Sequence, residues 1–122
     1  MQFKLPKDNE KYKWTNHVKD KMVYYGISES LIKRVVRHPH RTEEGVATGT
    51  TAVMQKATSK TPQEIWVMYQ ENKNLKRKIQ NEIPLTNKKT IISAWRYPGI
   101  SPVGKAIPIP DEILAELENI WE

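Results

Sequence analysis

The apolar positions near the start of the chain recur at helical intervals. One stripe repeats every three or four residues and consists of Trp14, Val18, Met22 and Tyr25. Thr15 is placed to cap this helix at its N-terminus, and Gly26 supplies the left-handed residue that ends many helices. Ser28 begins a second helix, which Pro39 ends because proline excludes helical geometry at the residue before it. The apolar side of the second helix is Leu31, Ile32, Val35 and Val36. The pattern predicts two helices over about 15–37.

Three later segments, residues 46–55, 64–70 and 90–96, have the β-branched and aromatic composition of strands. No helical pattern separates them, so they are expected to pair as an antiparallel meander. Residues 2–5 are a candidate for a short edge strand.

The end of the chain combines a Pro-rich segment with an amphipathic one. Four prolines and two glycines favour an extended path over residues 98–110. Residues 111–121 follow as a helix with Ile113, Leu114, Leu117 and Trp121 on its apolar side. The predicted fold class is α+β, with two N-terminal helices packed on a three- to four-stranded antiparallel sheet and a C-terminal helix covering the other face.

Composition fits one domain over residues 1–122 and excludes several kinds of site. The chain has no cysteine, which removes disulfides, thiol nucleophiles, thiolate zinc sites and iron–sulfur clusters. No run of about 18 apolar residues is present, so no membrane span is expected. The first residues lack the apolar stretch of a signal peptide, which leads us to expect a cytoplasmic protein.

The net charge of +6 is unevenly distributed. Residues 1–110 carry twenty basic against nine acidic side chains, a net charge of +11, whereas residues 111–122 carry five acids and no base. One interpretation is a phosphate-binding body with which its own acidic helix competes. The other is a solvated basic surface followed by a polar helix, and the charges alone leave both open.

Part of the helical region resembles a known family of small domains. The stretch His17-Val-Lys-Asp-Lys-Met22, followed by Tyr25-Gly-Ile-Ser28, is similar to the opening motif of BrnT-like toxins and their uncharacterised relatives. The stretch Ile32-Lys-Arg-Val-Val36 and the dipeptide His38-Pro39 also fit, and the resemblance covers about residues 14–97. It implies the RelE/ParE-like toxin fold, in which many members are metal-independent ribonucleases that associate with an antitoxin.

This chain also departs from the family. Lys19 and Lys21 stand where the family has arginines, and lysine keeps the charge but lacks the planar fork that binds phosphate through two hydrogen bonds. The long basic connection over residues 71–89 and the acidic end are further differences.

Metal-independent RNA cleavage needs a base, a cation beside the phosphate and a proton donor. His17, Lys21 and Tyr24 lie at i, i+4 and i+7 and therefore share one helix face. Arg96 and Tyr97 at the end of the third strand add a cation and a phenol. The expected catalytic residues are His17, Lys21, Arg96 and Tyr97, with no metal and no cofactor. Structural roles are the alternative. His17 would then bond within the first helix turn or bridge helix and sheet, and Lys21 and Tyr24 would lie on a solvated helix face. Arg96 would reach solvent, an anion, or an acid such as one in the terminal helix.

The expected nucleic-acid-binding residues are basic, with one aromatic side chain for base stacking. They are Lys19, Lys73, Lys76, Arg77, Lys78, Lys88, Lys89 and Trp95. A solvated hairpin is the alternative for the lysines, and burial in the core is the alternative for Trp95. His38-Pro39-His40 is interpreted as a turn, because no third histidine and no cysteine lies nearby to complete a metal site.

The function expected from the motif and the charge is that of a RelE/BrnT-like domain that binds RNA and cleaves it without a metal. RNA and an antitoxin-type protein are the expected partners. The alternative is a non-catalytic module that binds nucleic acid or another protein.

Overall fold

The structure, a computed structural model, describes residues 4–47, 49–57, 60–72 and 88–120. The helices and strands in chain order are β1 (Tyr12–Trp14), α1 (Asn16–Tyr25), α2 (Glu29–Arg37), β2 (Arg41–Glu44), β3 (Thr50–Ala57), β4 (Gln63–Asn72), β5 (Lys88–Pro98) and α3 (Asp111–Ile120). The predicted α+β class and the prediction of two leading helices and one terminal helix are confirmed. No helix within the described ranges is long and apolar enough to cross a membrane.

The two N-terminal helices begin and end at the residues that the sequence indicates. The Thr15 hydroxyl accepts a hydrogen bond from the backbone N–H of Val18 at 3.0 Å, and the Ser28 hydroxyl accepts one from Leu31 at 3.2 Å. Gly26 ends α1 with a φ of 67°, a left-handed conformation that glycine adopts without steric cost. Local chemistry therefore sets both helices.

The sheet has five strands in the order β1-β5-β4-β3-β2, which corrects the predicted three to four. Strands β3 to β5 form the expected antiparallel meander, which the unpredicted β2 extends by one antiparallel strand, and β1 pairs with β5 in parallel, so the sheet is mixed. An edge strand lies at Tyr12–Trp14, where both aromatic side chains are buried and hold the segment against the sheet. Of the strand predicted at 2–5, residues 4 and 5 are not in a strand, and residues 2 and 3 lie outside the described residues. The strand predicted over 46–55 is found at Thr50–Ala57, as the second strand of a hairpin whose first strand is the polar β2.

The sheet separates two apolar clusters. On one face α1 and α2 pack against the sheet, with a core of Tyr12, Trp14, Val18, Met22, Ile27, Ile32, Val35, Val36, Val53, Ile65, Val67, Ile91 and Ala94. On the other face α3 contributes Ile113 and Leu117 to a cluster with Ala52, Met54, Trp66, Met68, Ile92 and Trp95. The prediction that the terminal helix covers the second face is confirmed.

A bulge in β5 brings α1 against the edge of the sheet. Met68 of β4 pairs with Ser93 and Tyr69 pairs with Ile91, so Ile92 is an extra residue on β5. The Thr15 hydroxyl donates to the Ile92 carbonyl at 2.9 Å. Since β1 pairs with β5 only as far as Ile91, α1 covers the edge of the strand beyond that point. One side of α1 therefore faces the core, a second side contacts α3, and a third side with Val23 and Tyr24 is exposed.

Candidate functional site

Polar side chains of α1 and α3 meet along a line that we call the α1–α3 seam, formed by His17, Lys21 and Tyr25 of α1 and by Glu112 and Glu116 of α3. His17 Nδ1 lies 2.8 Å from Glu116 Oε2, and Lys21 Nζ lies 3.2 Å from Glu116 Oε1. The Tyr25 hydroxyl donates to Glu112 Oε1 at 3.2 Å. Two of the predicted catalytic residues thus converge, and they converge on one carboxylate of the acidic helix.

His17 bridges the helix, the sheet and α3. Its Nε2 lies 2.9 Å from the Ser93 hydroxyl, and its side chain is only 7% exposed. Burial lowers the pKa of His17 below 6.5, against the opposing effect of Glu116, so the ring is neutral at pH 7. Serine, histidine and glutamate are bonded in the order of a hydrolase triad. Ser93 is fully buried, however, so no substrate reaches its hydroxyl and the arrangement is not a nucleophilic site.

The charge of Glu116 is balanced mainly by Lys21, because His17 is neutral. Desolvation alone would raise the pKa of the Glu116 carboxyl, but the hydrogen bond and charge of Lys21, together with His17, lower it overall. The Lys21 side chain is 11% exposed and that of Glu116 is 47% exposed. Burial and the bond to Glu112 raise the pKa of Tyr25 to about 12, so its phenol stays protonated. The seam is therefore an ion pair between a buried cation and a half-exposed anion.

Arg96 lies at the opposite end of α1 from His17. Its Nε donates to the Tyr25 carbonyl at 2.7 Å and one terminal nitrogen donates to the Gly26 carbonyl at 3.1 Å, which neutralises the negative end of the helix. His17 and Tyr25 are eight residues apart, which corresponds to about 12 Å along a helix. The structure does not bring Arg96 together with His17 and Lys21. It also does not pair Arg96 with an acid of the terminal helix, because Arg96 donates to backbone carbonyls of α1 and Gly26.

The remaining predicted residues are dispersed. Tyr97 is half-buried against the cluster under α3, and Trp95 is fully buried, stacked on Trp66 with ring centroids 6.1 Å apart. Because Trp95 has no accessible surface, the expectation that it stacks on RNA is corrected. Lys89 forms an ion pair with Glu71 at 3.1 Å. Lys19 and Lys88 are partly exposed, and Lys73, Lys76, Arg77 and Lys78 lie outside the described residues.

A second polar cluster, which sequence reasoning missed, joins Arg41, Glu64 and Ser101. The Ser101 hydroxyl donates to Glu64 Oε1 at 2.6 Å and accepts from an Arg41 terminal nitrogen at 2.8 Å. Glu64 also accepts from the Trp66 indole at 3.0 Å and from the Ser101 backbone N–H at 3.1 Å. The sequence offers one indication that Glu64 is buried. It lies two residues before Trp66, and residues two apart in a strand point to the same face of the sheet.

A pocket of about 380 Å³ lies beside this cluster. It is lined by His40, Arg41, Met54, Lys56, Glu64, Ile100, Ser101 and Val103. The backbone N–H of Lys56 donates to His40 Nδ1 at 3.0 Å, so the neutral ring carries its proton on Nε2, where it is a donor. The pocket thus combines apolar walls with three cationic or donor groups, of which His40 and Lys56 are exposed and Arg41 is nearly buried.

The chain was compared with known protein families, proteins and structures. No protein-family model, curated protein or solved structure matches the chain. The resemblance to BrnT-like toxins therefore rests on the motif in α1 and α2, and function has to be argued from the seam and the pocket.

Proposed function

We propose that this chain is a RelE/BrnT-like domain that binds single-stranded RNA through His17 and Lys21, and that α3 occupies the same place when RNA is absent. The observation that carries the proposal is the position of the Glu116 carboxylate. Its two oxygens each contact one group of α1, His17 Nδ1 at 2.8 Å and Lys21 Nζ at 3.2 Å.

A phosphodiester offers the same chemistry as this carboxylate. It has two non-bridging oxygens that share one negative charge, and charged acceptors form the strongest hydrogen bonds with cationic donors. A pair of groups that holds both oxygens of Glu116 is therefore spaced to hold both oxygens of a phosphate. Tyr24, which is 70% exposed, adds its ring as a surface for base stacking, with Lys21 Nζ 5.7 Å from the ring centroid.

RNA reaches this pair only when α3 moves, because the side chains of His17 and Lys21 are nearly buried. Within the described residues α3 is anchored by the buried Ile113 and Leu117 and by the contacts of the seam. A short terminal helix held in this way is the kind of element that opens locally before the rest of a domain. The acidic helix then acts as a competitor for RNA within the same chain.

Charge-matched substitutions test this proposal. Glu116→Gln keeps the shape of the side chain and removes the competing charge, so we expect it to raise the affinity for a labelled single-stranded RNA about tenfold. Glu44→Gln is the control, since Glu44 is exposed on the edge strand and its loss changes the net charge equally. Adding Lys21→Met to Glu116→Gln is expected to abolish the gain, and affinity should fall steeply with salt. Equal effects of Glu116→Gln and Glu44→Gln in fluorescence anisotropy would refute the site.

Metal-independent cleavage is a second candidate function, favoured by the state of His17. In the structure Nδ1 of the neutral ring donates to the Glu116 carboxylate and Nε2 accepts from the Ser93 hydroxyl. Once α3 has moved, the ring can take its other tautomer, in which Nε2 donates to the Ser93 hydroxyl and Nδ1 has the lone pair of a base. Nδ1 would take the proton of the 2′-hydroxyl, Lys21 would stabilise the phosphorane charge, and the Tyr24 phenol would donate to the leaving oxygen. Arg96 and Tyr97 have no part in this set.

The cleavage assay compares Glu116→Gln with the double variant His17→Gln/Glu116→Gln on a defined RNA in the presence of a chelator. We expect cleavage by the first and none by the second. Equal background cleavage by the two would remove the catalytic role and leave RNA binding as a separate question.

A further inference from the structure

The loop that follows β5 presents two large aliphatic side chains to solvent. We call residues 99–104 the display loop. Within it Ile100 is 67% exposed and Val103 is 83% exposed. Gly99 and Gly104 bound the loop with φ angles of 108° and 84°, conformations that favour glycine. Exposed aliphatic side chains are common singly, so this pair becomes a candidate binding surface only through its support from below and the pocket beside it.

The display loop is held rigidly from below. Ser101, between the two exposed side chains, is buried and bonded to Glu64 through both its backbone N–H and its hydroxyl. Arg41, whose side chain is 9% exposed, donates to the Ser101 carbonyl at 3.4 Å, to the Ser101 hydroxyl at 2.8 Å and to the Pro102 carbonyl at 3.2 Å. The Arg41 guanidinium also lies 5.2 Å from the centroid of the Trp66 ring.

This support is more than the fold requires. A buried carboxylate and a nearly buried guanidinium each carry a desolvation penalty, and apolar side chains would fill the same space without it. What the polar network adds is a fixed position for the backbone of residues 101 and 102. A loop fixed before binding loses less conformational entropy on binding, which is the advantage of a preorganised interface.

The pocket beside the display loop indicates what binds there. Ile100 and Val103 form part of its wall, Met54 lies among its lining residues, and His40 and Lys56 supply donors. Among the lining residues the one acid is Glu64, which is fully buried and accepts three hydrogen bonds. The accessible charge of the pocket is therefore positive, next to aliphatic walls.

We propose that the display loop and the pocket form a docking site for an acidic segment of a partner protein. The segment inserts one aliphatic or aromatic side chain between Ile100 and Val103 and places Asp or Glu side chains against Lys56 and His40. Charge complementarity requires the acids, and the apolar walls require the anchor. A polypeptide fits better than RNA, because no Phe, Tyr or Trp ring is among the lining residues and His40 is the only ring there that could stack on a base. The site is separate from the α1–α3 seam.

Selection from a random peptide library on the full chain tests the proposal. We expect enriched peptides to share one large apolar residue flanked by Asp or Glu. Ile100→Ser and Val103→Ser should each weaken a selected peptide about tenfold, and Lys56→Glu should weaken it similarly. These side chains are exposed, so the variants are expected to fold. Val46→Ser is the matched control, since Val46 is an exposed aliphatic residue outside the pocket, and it should bind as the parent does.

Several results would overturn the docking site. They are a library that yields no enriched peptide, enriched peptides without acidic residues, and equal binding by Val103→Ser and Val46→Ser. Self-association of the parent chain that Val103→Ser abolishes would mean that a second copy, and not an acidic partner, occupies the site. RNA affinity is measured in parallel on Glu116→Gln with and without Lys56→Glu. Equal RNA affinity of the two proteins would show that the docking site and the α1–α3 seam are separate. Loss of RNA affinity on adding Lys56→Glu would assign the pocket to RNA.

Discussion

Replacement of Ser101 by alanine removes the one hydroxyl that connects two buried charges. In the structure this hydroxyl donates to Glu64 Oε1 at 2.6 Å and accepts from Arg41 at 2.8 Å. Ser101→Ala deletes both hydrogen bonds and little else, because the methyl group of alanine occupies the position of the serine Cβ. The variant therefore measures what the polar network contributes to the display loop.

The magnitude follows from the groups that lose a partner. A hydrogen bond to a charged group contributes about 1.5–3 kcal/mol. Glu64 keeps the Trp66 indole and the backbone N–H of residue 101, and Arg41 keeps two backbone carbonyls and Glu43. Because each charge stays partly satisfied, we expect the two losses together to lower the free energy of unfolding by about 2–4 kcal/mol. That is a large share of the roughly 5–15 kcal/mol typical of a domain.

Urea unfolding followed by tryptophan fluorescence is the assay. The Trp66 indole, which donates to the same carboxylate at 3.0 Å, is one of the four tryptophans that contribute to the signal. Ser30→Ala is the control, because Ser30 is exposed and its hydroxyl contacts only that of Ser28. The control should change stability by less than about 0.5 kcal/mol. A change in the free energy of unfolding as small as this in Ser101→Ala would show that the polar network does not hold the display loop. The docking site would then not be preorganised.

Three further changes test the placement of α1. Burial lowers the pKa of His17, so the unfolded chain takes up a proton before the folded chain as the pH falls below 6.5. Stability should therefore decline below that pH. In a series of urea midpoints measured against pH, His17→Gln should show a smaller decline. Arg96→Met, which leaves the carbonyls of Tyr25 and Gly26 without their cation, should lower stability by about 1–2 kcal/mol, and partial rescue by Arg96→Lys is expected. Gly26→Ala should lower the free energy of unfolding by about 1 kcal/mol. The loss comes from backbone strain alone, because a Cβ at this position meets nothing within 4 Å. A loss as large as that of a core truncation would contradict this reasoning.

The elements that could be predicted are those whose signals are local. The caps at Thr15 and Ser28 and the left-handed Gly26 act within a few residues of the helices that they delimit. The meander of β3, β4 and β5 could be predicted because these strands are neighbours both in sequence and in the sheet. Two strands had no such signal. β1 is three residues long and pairs with β5, and β2 is polar and defined only by its pairing with β3.

The candidate site divides in the same way. His17 and Lys21 could be grouped from their spacing, since residues four apart share a helix face. Their partner Glu116 lies about a hundred positions away, and helical spacing carries no information on which distant side chain arrives there. For Arg96 the sequence indicates a cation at the end of β5, but it does not indicate what the cation binds. The structure shows that Arg96 donates to a backbone carbonyl at the end of α1.

The sequence by itself determined the helices, the meander, the basic body and the acidic terminal helix, because propensity, capping and charge are properties of short stretches. Only the tertiary structure decided that Glu116 lies between His17 and Lys21, that Trp95 is core, and that Ser101 joins Arg41 to Glu64 beneath an exposed pair of aliphatic side chains. The physical reason is that these are contacts between residues far apart in the chain. Their free energy depends on burial and on the partner that packing brings near, and both exist only once the sheet has formed with helices on its two faces.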